Sequence, residues 1–173
     1  MFKKMKFVLL GISLYTASVA TAVDKTLYSA FNEDNRQTYN TRYGVLSTDK
    51  EGVLQFQGKK VQPVIQANNM LNVKEVIRQG EKDIVLMEII GGAGCPASYH
   101  FVSLTKDKIS ATEEFGSCSD LITVKEAGNK IIVSMPFFVA HEEFFTKKEL
   151  KKAYSTTMVY EFENGKVQEL KHP

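Results

Sequence analysis

Histidine and cysteine are scarce in this chain, with three and two among 173 residues, and tryptophan is absent. A structural zinc centre draws four Cys or His ligands at short spacings. That pattern cannot be assembled here, and no metal or cofactor is implied. The phosphate-cradling runs G-x-x-x-x-G-K-[ST] and G-x-G-x-x-G are missing, as is the G-x-S-x-G nucleophile elbow. Neither sign of charge dominates: 22 basic residues stand against 20 acidic ones, for a net charge of +2. A nucleic-acid binder carries a basic patch and a high pI, so no nucleic-acid partner is expected. No apolar run reaches the ~20 residues that a spanning helix needs. With 43% apolar and 24% charged residues, the composition excludes wholesale disorder, a collagen-like repeat and a long coiled coil.

What charge there is falls unevenly. Lys3, Lys4 and Lys6 open the chain, and no acid precedes Asp24. An apolar stretch, Phe7 to Tyr15, leads into small residues ending Ala20-Thr21-Ala22. This order of basic start, short apolar stretch and Ala-x-Ala end describes a secretory signal peptide. Cleavage is expected after Ala22, with Ala20 as the alternative, and no membrane span is expected to remain. Removing residues 1–22 takes away three basic residues and no acidic one, leaving a mature chain at −1. The expected localisation is periplasmic or secreted.

Export bears on Cys95 and Cys118. In an oxidising compartment two cysteines pair, and a loop of this length gains roughly 3 kcal/mol by the chain-entropy argument. The alternatives are a reactive thiol with His100 nearby, or a metal pair.

Residues 23–42 are polar and read as an irregular N-terminal segment; residues 43–173 read as one β-rich domain. Strands are expected over Tyr43–Ser47, Val53–Gln57 and Val61–Gln66, the last at an edge because Pro63 cannot donate to a ladder. Leu71–Arg78 fits a strand or a helical turn, and the neighbouring strands favour the former. Ile84–Ile90 is nearly continuous apolar sequence and suits a central strand buried on both faces. Glu88 interrupts it, either reaching water near a strand end or forming a semi-buried carboxylate in a site. Further strands are expected over Tyr99–Thr105, Lys108–Thr112, Leu121–Glu126 and Lys130–Met135. A final hairpin turns at Asn164-Gly165, the preferred two-residue type I′ pair, which sets Glu163 opposite Lys166 and Phe162 opposite Val167. Thr146-Lys147-Lys148-Glu149 is a capping box, with Phe145 and Leu150 at the staple positions, and predicts a helix over Lys147–Tyr154. The fold expected is mainly β: a single antiparallel domain, meander- or sandwich-like, with one short helix in the C-terminal region.

Two clusters stand out. The first is Gly91-Gly92-Ala93-Gly94-Cys95-Pro96-Ala97-Ser98-Tyr99-His100; the second is Phe115-Gly116-Ser117-Cys118-Ser119-Asp120. A Cys95–Cys118 bond would join them as candidate binding loops, gathering Gly91, Gly92, Gly94, Ser98, Tyr99, His100, Ser117, Ser119 and Asp120. A hydrolase would use Ser119 or Ser98 as nucleophile, His100 as base and Asp120 as orienter. The simpler expectation is that the glycines permit tight turns around the cystine. His141-Glu142-Glu143-Phe144-Phe145 lacks the second histidine of a zinc-protease helix, since Phe145 stands in its place. Phe137, Phe138, Phe144 and Phe145 form a third cluster. The plainer expectation is a buried connection and helix staple; the alternative is an exposed patch that docks a partner. Lys147, Lys148, Lys151 and Lys152 follow, on a solvated face or facing an acidic partner.

The run Gly91-x-x-Gly94-Cys95-Pro96-x-x-Tyr99-x-Phe101, followed by Phe115-Gly116-x-Cys118-Ser119-Asp120, resembles a motif of uncharacterised small exported proteins of Gram-negative bacteria. The resemblance covers roughly residues 54–136. It implies an envelope or secreted β protein with one disulfide, and it transfers no catalytic residue. The function expected is non-enzymatic binding in the bacterial envelope, as an inhibitor or immunity-type protein acting on another envelope or secreted protein. The alternatives are the Ser/His/Asp hydrolase and an accessory subunit of an envelope assembly.

Overall fold

Three antiparallel sheets, laid one upon the next, make up the protein. The computed structural model describes residues 30–31, 37–67 and 69–170; the expected signal peptide lies outside them. The first sheet is a meander of β1 (Ala30–Phe31), β2 (Gln37–Thr41), β3 (Gly44–Thr48), β4 (Leu54–Phe56) and β5 (Lys59–Lys60). The central sheet holds β6 (Met70–Gln79), β7 (Lys82–Gly92), β8 (Cys95–Leu104) and β9 (Ile109–Ala111). The last holds β10 (Thr123–Ala127), β11 (Lys130–Pro136), β12 (Thr157–Glu163) and β13 (Lys166–Glu169). Every pairing joins chain neighbours, as short turns require. The expected mainly-β antiparallel domain with one short helix is what the chain forms.

The central sheet decides the layering. Strand β7 is buried on both sides from Asp83 to Ile89, as its apolar run predicts. Because strand side chains alternate, Ile84 and Leu86 join Tyr99, Phe101, Ile131, Val133, Tyr160 and Phe162 in one core against the last sheet. Val85, Met87 and Ile89 join Tyr39, Leu46, Leu54, Val61 and Ile65 in a second core against the first sheet. An aromatic ladder stiffens the former: Phe101 lies 5.5 Å from Phe115 and 4.5 Å from Phe162, centre to centre.

A polar clamp ties the first sheet to the central one. Arg42, in the β2–β3 turn, places its Nε 2.6 Å from an oxygen of the buried Asp83, while its backbone N–H donates to the other oxygen at 3.0 Å. Its guanidinium also donates to the carbonyls of Gly80 and Lys82. An Arg–carboxylate contact of this kind is both directional and strong.

Two expectations are corrected. The segment 23–42, expected to be irregular, carries β1 at Ala30–Phe31 paired with β2 from Gln37; Tyr39 is buried there and donates from its hydroxyl to the carbonyl of Leu71 at 2.7 Å. The strand expected over Val61–Gln66 reduces to one bridge, Val53 to Gln66. Pro63 has no N–H to pair, and the bonds at its flanks are single ones, Val61 N–H to Leu54 O and Leu54 N–H to Ile65 O.

Candidate functional site

Cys95 and Cys118 are bonded, with their Cα atoms 4.6 Å apart. The chain beyond β9 runs back along β8. Tyr99 and Phe115 exchange both backbone hydrogen bonds at 2.9 Å, and Ala97 N–H donates to Cys118 O. The first cluster is thus no free loop: most of Gly91–His100 is the paired end of the β7–β8 hairpin. Two glycines are demanded by close approach. A Cβ on Gly91 would lie 2.0 Å from the carbonyl oxygen of Cys95, and one on Gly116, at φ +129°, would lie 3.1 Å from the ring of Tyr99.

The side chains around the cystine go separate ways. Tyr99 points toward the last sheet, where its hydroxyl donates to Ser119 O at 2.9 Å. His100, the next residue on the strand, therefore points to the opposite face. There its Nδ1 pairs with Thr112 O at 2.9 Å and its Nε2 lies 3.9 Å from Glu114. Ser117 donates to Pro136 O at 2.7 Å, and the buried Ser119 hydroxyl accepts from Leu121 N–H. Asp120 is exposed and Ser98 half-buried. Among the described residues, no hydrogen bond joins His100 to Ser98, Ser117, Ser119 or Asp120. Nucleophilic catalysis needs base and nucleophile within hydrogen-bond reach, and His100, Ser117 and Ser119 are engaged with backbone instead.

Glu88 does not reach water near a strand end. It sits within β7 at 4% exposure, and the side chain of Lys74 comes to it at 3.0 Å. Register slips between Val73 and Glu75 on β6, and Lys74 is the bulged residue. A bulge re-aims a side chain, and here it supplies the counter-charge that a buried carboxylate requires. Asn72 donates to Glu88 at 3.3 Å and Tyr99 at 3.4 Å. Burial, together with the charges of Glu88 and Asp120, pushes the Tyr99 phenol well up, so it serves as a neutral donor.

The third cluster departs most from its plainer expectation. Between β11 and β12 the chain makes an excursion of one 3₁₀ turn, Glu142–Phe144, and α1 (Lys147–Tyr154). The capping box is present in full: Thr146 accepts from Glu149 N–H, and Glu149 accepts from Thr146 N–H at 2.8 Å. No residue of either helical piece is buried. Phe144 is 79% exposed, Phe145 44% and Phe137 40%, and only Phe138 is half-buried. Leu150 and Ala153 of α1 are half-buried. Polar contacts hold the excursion's two helical pieces to each other. Tyr154 donates to Glu142, and His141 meets Glu143 at 3.1 Å and the ring of Phe144 at 5.7 Å. The contact with Glu142 raises the Tyr154 phenol. Lys147, Lys148, Lys151 and Lys152 are all exposed, and no ion pair engages them among the described residues.

No helix among the described residues is long and apolar enough to cross a membrane. No group of three or more potential metal ligands occurs among them. No protein-family model, curated protein or solved structure matches the chain.

Proposed function

We propose that this is an exported, non-enzymatic interaction protein of the bacterial envelope, docking a partner protein through the excursion at residues 137–154. The observation that carries the reading is the exposure of Phe137, Phe144 and Phe145 on an excursion whose helical pieces bury no residue. Exposed apolar groups that cluster mark interaction surfaces, and buried aromatic anchors dominate interface energies. The four lysines beside them suit an apolar pocket rimmed by acids. Engagement of His100, Ser117 and Ser119 with backbone atoms supports binding over hydrolysis. The cystine and the signal-like first 22 residues support the envelope as its place, and an inhibitor or immunity-type protein is the role in keeping with that place.

The experiment is capture from an envelope extract with three baits: the native chain, Phe144→Ser/Phe145→Ser, and Lys147→Glu/Lys151→Glu. A partner retained by the native chain, released by salt and lost with both variants is the expected result, repeated with the purified partner. Equal retention by all three would overturn the docking surface. Intact mass of the exported protein, beginning at Val23 with both cysteines oxidised, checks its export. A cytoplasmic, full-length product would overturn that part.

A further inference from the structure

The inner face of the central sheet changes character toward one end. Cross-strand partners share a face, and one row there runs Ile77, Ile84, Ser103, Ser110. The next brings Gln79 opposite Lys82. Facing positions between stacked sheets are ordinarily apolar, yet these are hydroxyl, amide and ammonium groups. They line a cleft of about 250 Å³ between the central and last sheets, with Ile84 and Phe162 at its floor and Asn164 of the final turn on its far wall.

We propose that this cleft binds a small polyhydroxylated anion of the acidic-sugar class. Lys82 and Lys108 both line it, and no carboxylate does; neither ammonium has an ion-pair partner among the described residues. Ser103 and Ser110 stand directly opposite each other, with no bond from either hydroxyl to the described residues. The Gln79 side-chain nitrogen is buried without a hydrogen-bond partner, a condition that costs about 1–3 kcal/mol unless something accepts from it. Rotation about the terminal torsion of a glutamine is soft, so that amide can turn toward an acceptor in the cleft. Two cations supply attraction for one negative group; paired hydroxyls and amides supply donors and acceptors for sugar hydroxyls. The cleft opens at the end of the sheets and is built independently of the aromatic excursion.

The test is titration of the isotope-labelled full chain with glucuronate, glucose 6-phosphate and glucose, reading amide shifts that include the Gln79 and Asn164 side chains. Saturable shifts around the cleft from either acidic sugar, at least about tenfold tighter than from glucose, are expected. The arm that saturates lower tells carboxylate from phosphate. Lys82→Ala/Lys108→Ala, two exposed positions, is expected to keep the native spectrum elsewhere and to weaken that binding by about tenfold or more. No shift at the cleft with either acidic sugar, equal affinity for glucose, or undiminished binding by the double variant would overturn the assignment.

Discussion

The ammonium of Lys74 stands 3.0 Å from a carboxylate oxygen of Glu88, on a face of the central sheet otherwise packed by Ile84 and Leu86. Only the bulge in β6 allows it, since Val73 and Glu75 pair with Met87 and Leu86 and leave Lys74 over. Lys74→Met would strand a carboxylate with Asn72 and Tyr99 as its remaining donors. Breaking a fully buried pair costs about 3–5 kcal/mol, and the partial exposure of Lys74 reduces the expectation here to about 2 kcal/mol. Urea unfolding reads it as a lower midpoint at unchanged slope. Adding Glu88→Gln should restore part of the loss. A single variant as stable as the native chain would mean that Glu88 does not depend on Lys74.

Alkali should unfold the protein through its tyrosines. Burial pushes the Tyr39 phenol up to about 12, and Tyr99 and Tyr160 move in the same direction for the same first cause. The folded-state value lies above the unfolded one near 10, so the native chain holds its protons longer. The stabilisation is complete below about pH 10 and is lost as pH rises through about 12. Thermal midpoints recorded across that window should fall steeply, and Tyr39→Phe should flatten part of the fall. A midpoint independent of pH there would contradict the burial of these phenols.

Thr146→Ala should melt α1 and leave the sheets untouched. Losing such a cap costs a helix about 1 kcal/mol, and an isolated helix this short is marginal in water. Since no α1 residue is buried, global unfolding should not notice. Amide exchange in residues 147–154 should accelerate while exchange in β7 and β8 stays slow. A matching drop in global stability would show that the helix rests on the core after all.

Local signals in the sequence translated well. The capping box fixed α1 at Lys147–Tyr154. Asn164-Gly165 set the last hairpin, with Glu163 opposite Lys166 and Phe162 opposite Val167. The apolar run at Ile84 announced a strand covered on both faces, and the cysteines paired. What escaped depends on distant partners. Nothing near Lys74 announces a bulge, because slipped register is a property of two strands. The phenylalanines at 137–145 have the composition of a core, yet Phe137, Phe144 and Phe145 are exposed. Ser98 and His100 share a face of β8 two positions apart, but the His100 ring is taken up by Thr112 O, and Asp120 lies exposed in the connection before β10.

The excursion leaves and re-enters the fold at one place. Phe137 N–H donates to Thr156 O at 3.0 Å, and Met135 pairs with Met158 beneath it. Its two ends are held together by the ladder, whatever lies between them, and joining ends already adjacent adds little chain-entropy cost as the connection lengthens. The segment can therefore change in length and sequence as a replaceable cassette without altering how the sheets fold, and under the proposed function such a change would redirect docking alone.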